Sequence, residues 1–201
     1  MKAFLLGALL LFVIGCQEEQ PISIPEEPAA VAQPIPQYDR SAYPEEIVLT
    51  EHGLFGYWEE SAFSIDSMRA LLPAFEVVAG TGGSEGQTWD ILTVKKGQAE
   101  LLQIDSDFLG NVGKVSTSSS QVGVDTRHRV GMTFSEVFLD RPDVACYPGV
   151  EELTGEVICA APDRNQLFYV FSGSWDGPDT RIPPQNELAT WRISSIFWTS
   201  K

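Results

Sequence analysis

Histidine is almost missing from this chain: two residues in 201, alongside only three cysteines and three methionines. That scarcity narrows the chemistry before any motif is sought. Only His52 and His128 could act as general bases of the usual neutral-pH type. The cysteines make no C-x-x-C pair and neither histidine adjoins one, so the common redox and zinc spacings are absent. Basic residues are also few, 13 Lys and Arg against 28 Asp and Glu, for a net charge of −15. Such a surface repels phosphate backbones and anionic head groups, which argues against nucleic acid as a partner. No apolar run reaches the ~20 residues that a membrane-spanning helix needs.

What is present begins at the N-terminus. Lys2 precedes an apolar run from Leu5 to Ile14, broken only by Gly7, and Val13-Ile14-Gly15-Cys16 follows. The run is short and has no stop-transfer flank, so residues 1–15 read as a secretion signal. The last four residues resemble a bacterial lipobox, which implies cleavage before Cys16 and acylation of its thiol with palmitate-type chains. An ordinary signal-peptidase site fits less well, because Val13 and Ile14 are bulky where small residues are wanted. Each buried acyl methylene contributes ~0.8 kcal/mol, so several chains on one cysteine anchor firmly. Gln17 stands where an Asp would favour inner-membrane retention. The expectation is therefore an outer-membrane anchor, with the rest of the chain facing the periplasm.

Residues 16–46 read as a tether. Pro21, Pro25, Pro28, Pro34, Pro36 and Pro44 account for six of the chain's 13 prolines. Proline fixes φ and removes backbone donors, so this stretch favours extended, solvated conformers at ~3.1 Å per residue. A Pro-rich recognition motif at Pro34-Ile35-Pro36 is the sharper alternative to a passive spacer.

Residues 47–201 are about one domain's worth of chain. Ser64 as N-cap and Pro73 as stop bracket a short helix. Strands are expected at 74–79, 88–94, 99–104 and 112–117, with a turn at Lys95-Lys96-Gly97-Gln98. The pattern then restarts. Thr133-Phe134-Ser135-Glu136 fits a capping box opening a helix that runs to about Asp140 and is closed by Pro142. Strands follow at 144–147, 155–160, 167–171 and 191–198. Cap and stop have the same spacing in both places. Gly113-Lys114-Val115-Ser116-Thr117 also echoes Trp191-Arg192-Ile193-Ser194-Ser195. The expected fold is α+β: mostly antiparallel sheet with two short helices, arranged as tandem helix-plus-sheet units at 47–121 and 122–201.

With Cys16 assigned to lipid, Cys146 and Cys159 fall on two neighbouring expected strands, and a structural disulfide is favoured over a redox or metal role. Other candidates read as ordinary structure. Gly82-Gly83-Ser84-Glu85-Gly86 matches G-x-S-x-G, but a strand follows where a nucleophile elbow needs a helix, so a flexible hairpin loop is expected. Asp105-Ser106-Asp107 starts like a calcium loop, yet Leu109 and Ser116 occupy ligand positions, which leaves a solvated turn. His128 lies between Arg127 and Arg129, whose charges would lower its pKa, but no nucleophile can be placed beside it. It reads as a loop histidine. Glu151, Glu152 and Glu156 flank a Gly-containing loop and read as surface charge. No metal or cofactor is expected.

The densest unusual region is Tyr169-Val170-Phe171-Ser172-Gly173-Ser174-Trp175-Asp176-Gly177-Pro178, followed by Pro183, Leu188, Trp191, Ile196 and Trp198. This phrase closely resembles the C-terminal stretch of the RpoE (sigma-E)-regulated lipoprotein family of Gram-negative bacteria, a domain family of unknown function. Val130 to Ser135 and the Cys146/Cys159 pair are similar too. The resemblance covers residues 122–201 and is weak over 47–121. It implies an outer-membrane lipoprotein of the envelope-stress setting and carries over no catalytic residue. The function expected is non-catalytic: a binding or structural protein whose partner is an envelope protein or the cell wall. The alternative is a cell-envelope hydrolase with an unrecognised site. Gly173, Gly177, Pro178, Pro183 and Pro184 predict a surface loop between Phe171 and Leu188. Trp175 within it is either a partner contact or a lid folded beside Trp191 or Trp198. The lid is favoured, because long loops need an internal anchor.

Overall fold

The computed structural model describes residues 46–55, 61–124, 127–139 and 144–200. The expected signal peptide, Cys16, the tether up to residue 45, Asp140 and Pro142 lie outside them. The fold is α+β and dominated by antiparallel strands. In the first half, β1 (Ile47–Thr50) and β2 (Gly53–Leu54) precede α1 (Ile65–Leu71). Then come β3 (Glu76–Ser84), β4 (Gln87–Lys96), β5 (Ala99–Ser106) and β6 (Val112–Thr117). The second half runs β7 (Val122–Val124), α2 (Phe134–Phe138), β8 (Cys146–Pro148), β9 (Val157–Ala160), β10 (Leu167–Ser172), α3 (Gln185–Leu188) and β11 (Arg192–Thr199).

One eight-stranded sheet has the order β3-β4-β5-β6-β11-β10-β9-β8. Each half thus supplies a helix followed by four meandering strands, and the last strands of the two halves, β6 and β11, pair antiparallel at the centre. All eight expected strands lie in this sheet, with displaced ends. The clearest displacement is β3, which continues through Gly80-Thr81-Gly82-Gly83 in unbroken register to Ser84 opposite Gln87. Glu85 and Gly86 close the hairpin at φ 49° and 82°, the paired left-handed conformations of a two-residue type I′ turn. The expected flexible loop is therefore strand plus tight turn, with no nucleophile elbow.

Both helix starts follow the sequence rules. Ser67 N donates to Ser64 Oγ at 3.4 Å ahead of α1. At α2, Glu136 N donates to Thr133 Oγ1 while Thr133 N donates to Glu136 Oε2, completing a capping box. Three short α-helices occur among the described residues where two were expected, since α3 follows the Pro183-Pro184 pair. A small second sheet, β2-β1-β7, was also unforeseen. Its strands are short and buried on all sides, so they lack the alternation that marks a half-buried strand.

Alternate residues of the large sheet form its inner face. Val77, Leu92, Val94, Leu102, Ile104 and Val115 pack in one cluster with Leu167, Tyr169, Phe171, Ile196 and Trp198. Met68 of α1 and Phe134, Val137 and Phe138 of α2 join the same cluster. The sheet curls strongly: Ser84 Oγ at the end of edge strand β3 donates to Glu152 Oε1, in the turn after the opposite edge strand β8.

Candidate binding cleft

β10 ends at Ser172, and the chain returns to the sheet only at Arg192. The intervening loop is organised by two indole rings. A Cβ at Gly173 would overlap the Trp191 ring, and a Cβ at Gly177 would overlap the Trp175 ring. Glycine is needed at both places so that backbone can lie against aromatic surface. Trp191 is 4 % exposed, and Trp175 is partly buried against the core cluster. Pro183 and Leu188 are buried and pin the far end of the loop. Trp175 and Trp191 line the same cleft. Trp198 is fully buried elsewhere, its Nε1 donating to Glu51 O at 2.7 Å.

Between this loop and the start of β9 lies an open cleft of about 290 Å³. Glu156, Val157, Trp175, Asp176, Asp179, Arg181 and Trp191 contribute to its walls. Ser194 Oγ donates to Glu156 Oε1 at 3.0 Å and lies 3.2 Å from Val170 O, which fixes the carboxylate's orientation. The cleft offers three carboxylates, one guanidinium and aromatic surface. It suits hydrogen bonding and apolar contact with a partner of mixed polarity.

The other candidates are dispersed. Cys146 and Cys159 stand directly opposite each other on β8 and β9 and form a disulfide, with Cα atoms 4.1 Å apart. The bridge joins the edge strand to its neighbour. His128 is tied to the core: its Nδ1 lies 2.8 Å from Tyr169 Oη, with the rings edge-on at 5.4 Å. It is more constrained than a loop histidine and does not line the cleft. His52 follows β1, with Nδ1 buried and lacking a hydrogen bond among the described residues. Asp105 corrects the solvated-turn reading. It is 8 % exposed, and its Oδ1 accepts from Trp89 Nε1 at 3.0 Å and Gln103 Nε2 at 2.8 Å. It lies on the face opposite Ile104, where strand pairing brings Trp89 and Gln103 over it, so no local pattern marks its burial. Of the three glutamates near the β8–β9 turn, only Glu156 lines the cleft.

Two backbone and side-chain hydrogen bonds from Thr133 hold Glu136 below the usual carboxylate range, and burial raises Tyr147. Among the described residues no three His, Cys, Asp or Glu side chains gather as metal ligands. Among the same residues no helix is long and apolar enough to cross a membrane.

Residues 41–200 match the family described as "Protein of unknown function (DUF1131)", and the chain belongs to that family. A relative is "Uncharacterized protein YfeY" of Escherichia coli (strain K12), 26 % identical over 129 residues. That match covers 64 % of this chain and 66 % of the relative, just under two thirds of its length. The crystal structure of the uncharacterized protein yfeY from Escherichia coli shares the fold, with a TM-score of 0.58 at 20 % identity. It aligns over 77 % of this chain and 99 % of that one. The family match extends through residues 47–121, beyond the stretch that carries the sequence resemblance.

Proposed function

We propose that this chain is a lipid-anchored protein of the outer membrane, facing the periplasm, that binds an envelope protein or cell-wall partner in the Trp175 cleft without transforming it. The observation that carries this reading is the cleft's construction. Glycines bed two tryptophans into the fold, and Asp176, Asp179 and Arg181 are left at an open rim. Binding is favoured over hydrolysis because Glu156 is engaged by Ser194, and neither His52 nor His128 lies in the cleft. The lipobox-like Val13-Ile14-Gly15-Cys16 supports the anchor, and the resemblance to sigma-E-regulated lipoproteins supports an envelope-stress setting.

The test places a photoreactive residue at exposed Asp176 of the full-length protein in intact envelopes, with mass spectrometry of the crosslinked species. The expected result is one defined adduct that is lost in Arg181→Ala, with acyl mass on Cys16. Cleavage of envelope glycan or peptide by the purified protein, abolished by cleft substitutions, would establish the hydrolase instead.

A further inference from the structure

The turn joining β5 to β6 presents Phe108 and Leu109 to solvent, 96 % and 71 % exposed. A single exposed apolar side chain is ordinary, but this pair is held out by a built turn. Asp107 Oδ1 accepts from Leu109 N at 2.9 Å and from Asn111 N at 2.7 Å. Asp107 N donates to Asn111 O, closing the turn on its own backbone. Phe63 N donates to Gly110 O and Val112 N to Ser61 O, so a neighbouring segment braces it from behind. The one charge at the tip is thereby occupied by backbone donors. What projects is apolar.

We propose that the Phe108–Leu109 tip inserts into the surface of the bilayer that anchors the chain, a zwitterionic lipid surface, and orients the domain on it. This rests on the lipid-anchor reading of Cys16. At ~3.1 Å each, the roughly 30 residues between Cys16 and Ile47 could reach several nanometres when extended, so the tip meets its bilayer as an intramolecular event at high effective concentration. The leash enters at Ile47, and β1 leads from there to Glu51 at the tip end of the sheet. Glu51, just after β1, accepts from Asn165 N and Trp198 Nε1. The β9–β10 turn holding Asn165 lies at the same end of the sheet as the β5–β6 turn, because every intervening strand pair is antiparallel. Two side chains expose far less area than a stable protein interface buries. They suffice, however, as a second membrane signal added to an acyl anchor. With a net charge of −15 the chain favours a zwitterionic surface over an anionic one.

The consequence is orientation. β11 leads from Trp191 at the cleft to Thr199 opposite Lys114 near the tip. Its eight residues place cleft and tip about 25 Å apart at ~3.3 Å per residue. A tip in the bilayer leaves the cleft facing away from it.

The experiment uses the full lipoprotein reconstituted in phosphatidylcholine vesicles. Cys16 is acylated and Cys146 is bridged to Cys159, so Leu109→Cys adds a single reactive thiol for an environment-sensitive fluorophore. Val150→Cys, in the β8–β9 turn beside the cleft end and 69 % exposed in the native protein, is the control. Brominated lipid should quench the label at 109 but not at 150, and iodide should do the reverse. Adding Phe108→Ser, or anionic phosphatidylglycerol, should reduce the brominated-lipid quenching severalfold. Iodide quenching at both positions would overturn the inference while leaving the anchor intact. A label at 109 shielded from both quenchers would also overturn it and point to docking on a second copy. An intact mass without acyl groups on Cys16 would remove the anchor reading itself.

Discussion

Strands β3–β6 bury an aliphatic face made of Val77, Leu92, Val94, Leu102, Ile104 and Val115, whereas β10 buries Tyr169 and Phe171 against Phe134 and Phe138 of α2. In the second half, ring packs on ring: Phe134 meets Phe138 at 4.8 Å and Phe171 at 5.2 Å between centroids. Such pairs contribute ~0.5–1.5 kcal/mol each beyond their burial. The edges differ as well. β3 is nine residues long, glycine-rich and mostly exposed. β8 is three residues long and bolted to β9 by the disulfide. Aliphatic cores tolerate exchange among side chains of similar volume. An indole against a glycine tolerates almost none.

The sharpest way to break this contrast is to remove the bolt. Cys146→Ala should destabilise the domain by about 3 kcal/mol on the loop-entropy account. It should also leave Cys159, fully buried on β9, as a thiol that labels only after unfolding. Urea unfolding with and without reductant measures this. A reductant-insensitive native protein would mean that the second half does not depend on its bridge.

Glycine–tryptophan contacts occur in both halves and sharpen the comparison. Gly173→Ala should cost ~2–3 kcal/mol, because the new methyl meets the Trp191 ring, which is buried and has nowhere to go. Gly82→Ala also meets an indole, with Trp89 Nε1 2.6 Å from the added Cβ. Trp89 is only half-buried, however, and can swing outward. The expected cost there is about 1 kcal/mol, that of its hydrogen bond to Asp105. Equal melting temperatures for the two variants would contradict the rigid-versus-soft distinction.

The same distinction explains what was legible. The eight strands of the large sheet show alternation or turn punctuation, and the caps at Ser64 and Thr133 are local patterns, so both survive in sequence. The recognisable phrase runs through Gly173, Trp175, Gly177 and Trp191 because those residues fit one another specifically. The first half belongs to the same family without a comparable phrase, as its aliphatic positions can vary in identity. The cleft was half legible. Trp175 and its glycines signalled a packed loop, but Glu156 reaches it only through the β9–β10–β11 pairing, which no local pattern encodes. Asp105 was misread because its partners, Trp89 and Gln103, are set by register and not by its flanking residues. The outward projection of Phe108 and Leu109 is set by the Asp107-capped turn and by no local periodicity.

The smallest expected effect tests whether α2 is set by its local cap or by the aromatic cluster above it. Thr133 N and Thr133 Oγ1 donate to Glu136 Oε2 at 2.7 and 2.8 Å, and these bonds lower the carboxyl's pKa below its ordinary 4.5. A group whose folded pKa lies below its unfolded value adds stability that is fully present above the unfolded value. That stability is lost as pH falls through the folded value. Wild-type protein should therefore melt slightly higher than Glu136→Gln at neutral pH. The gap should narrow from about pH 4.5 downward and vanish at more acid pH. Taking the difference between the two proteins cancels the titration of the other carboxylates. A gap that stays constant with pH would mean that the amide serves the cap as well as the carboxylate, leaving Phe134 and Phe138 to fix the helix by packing alone.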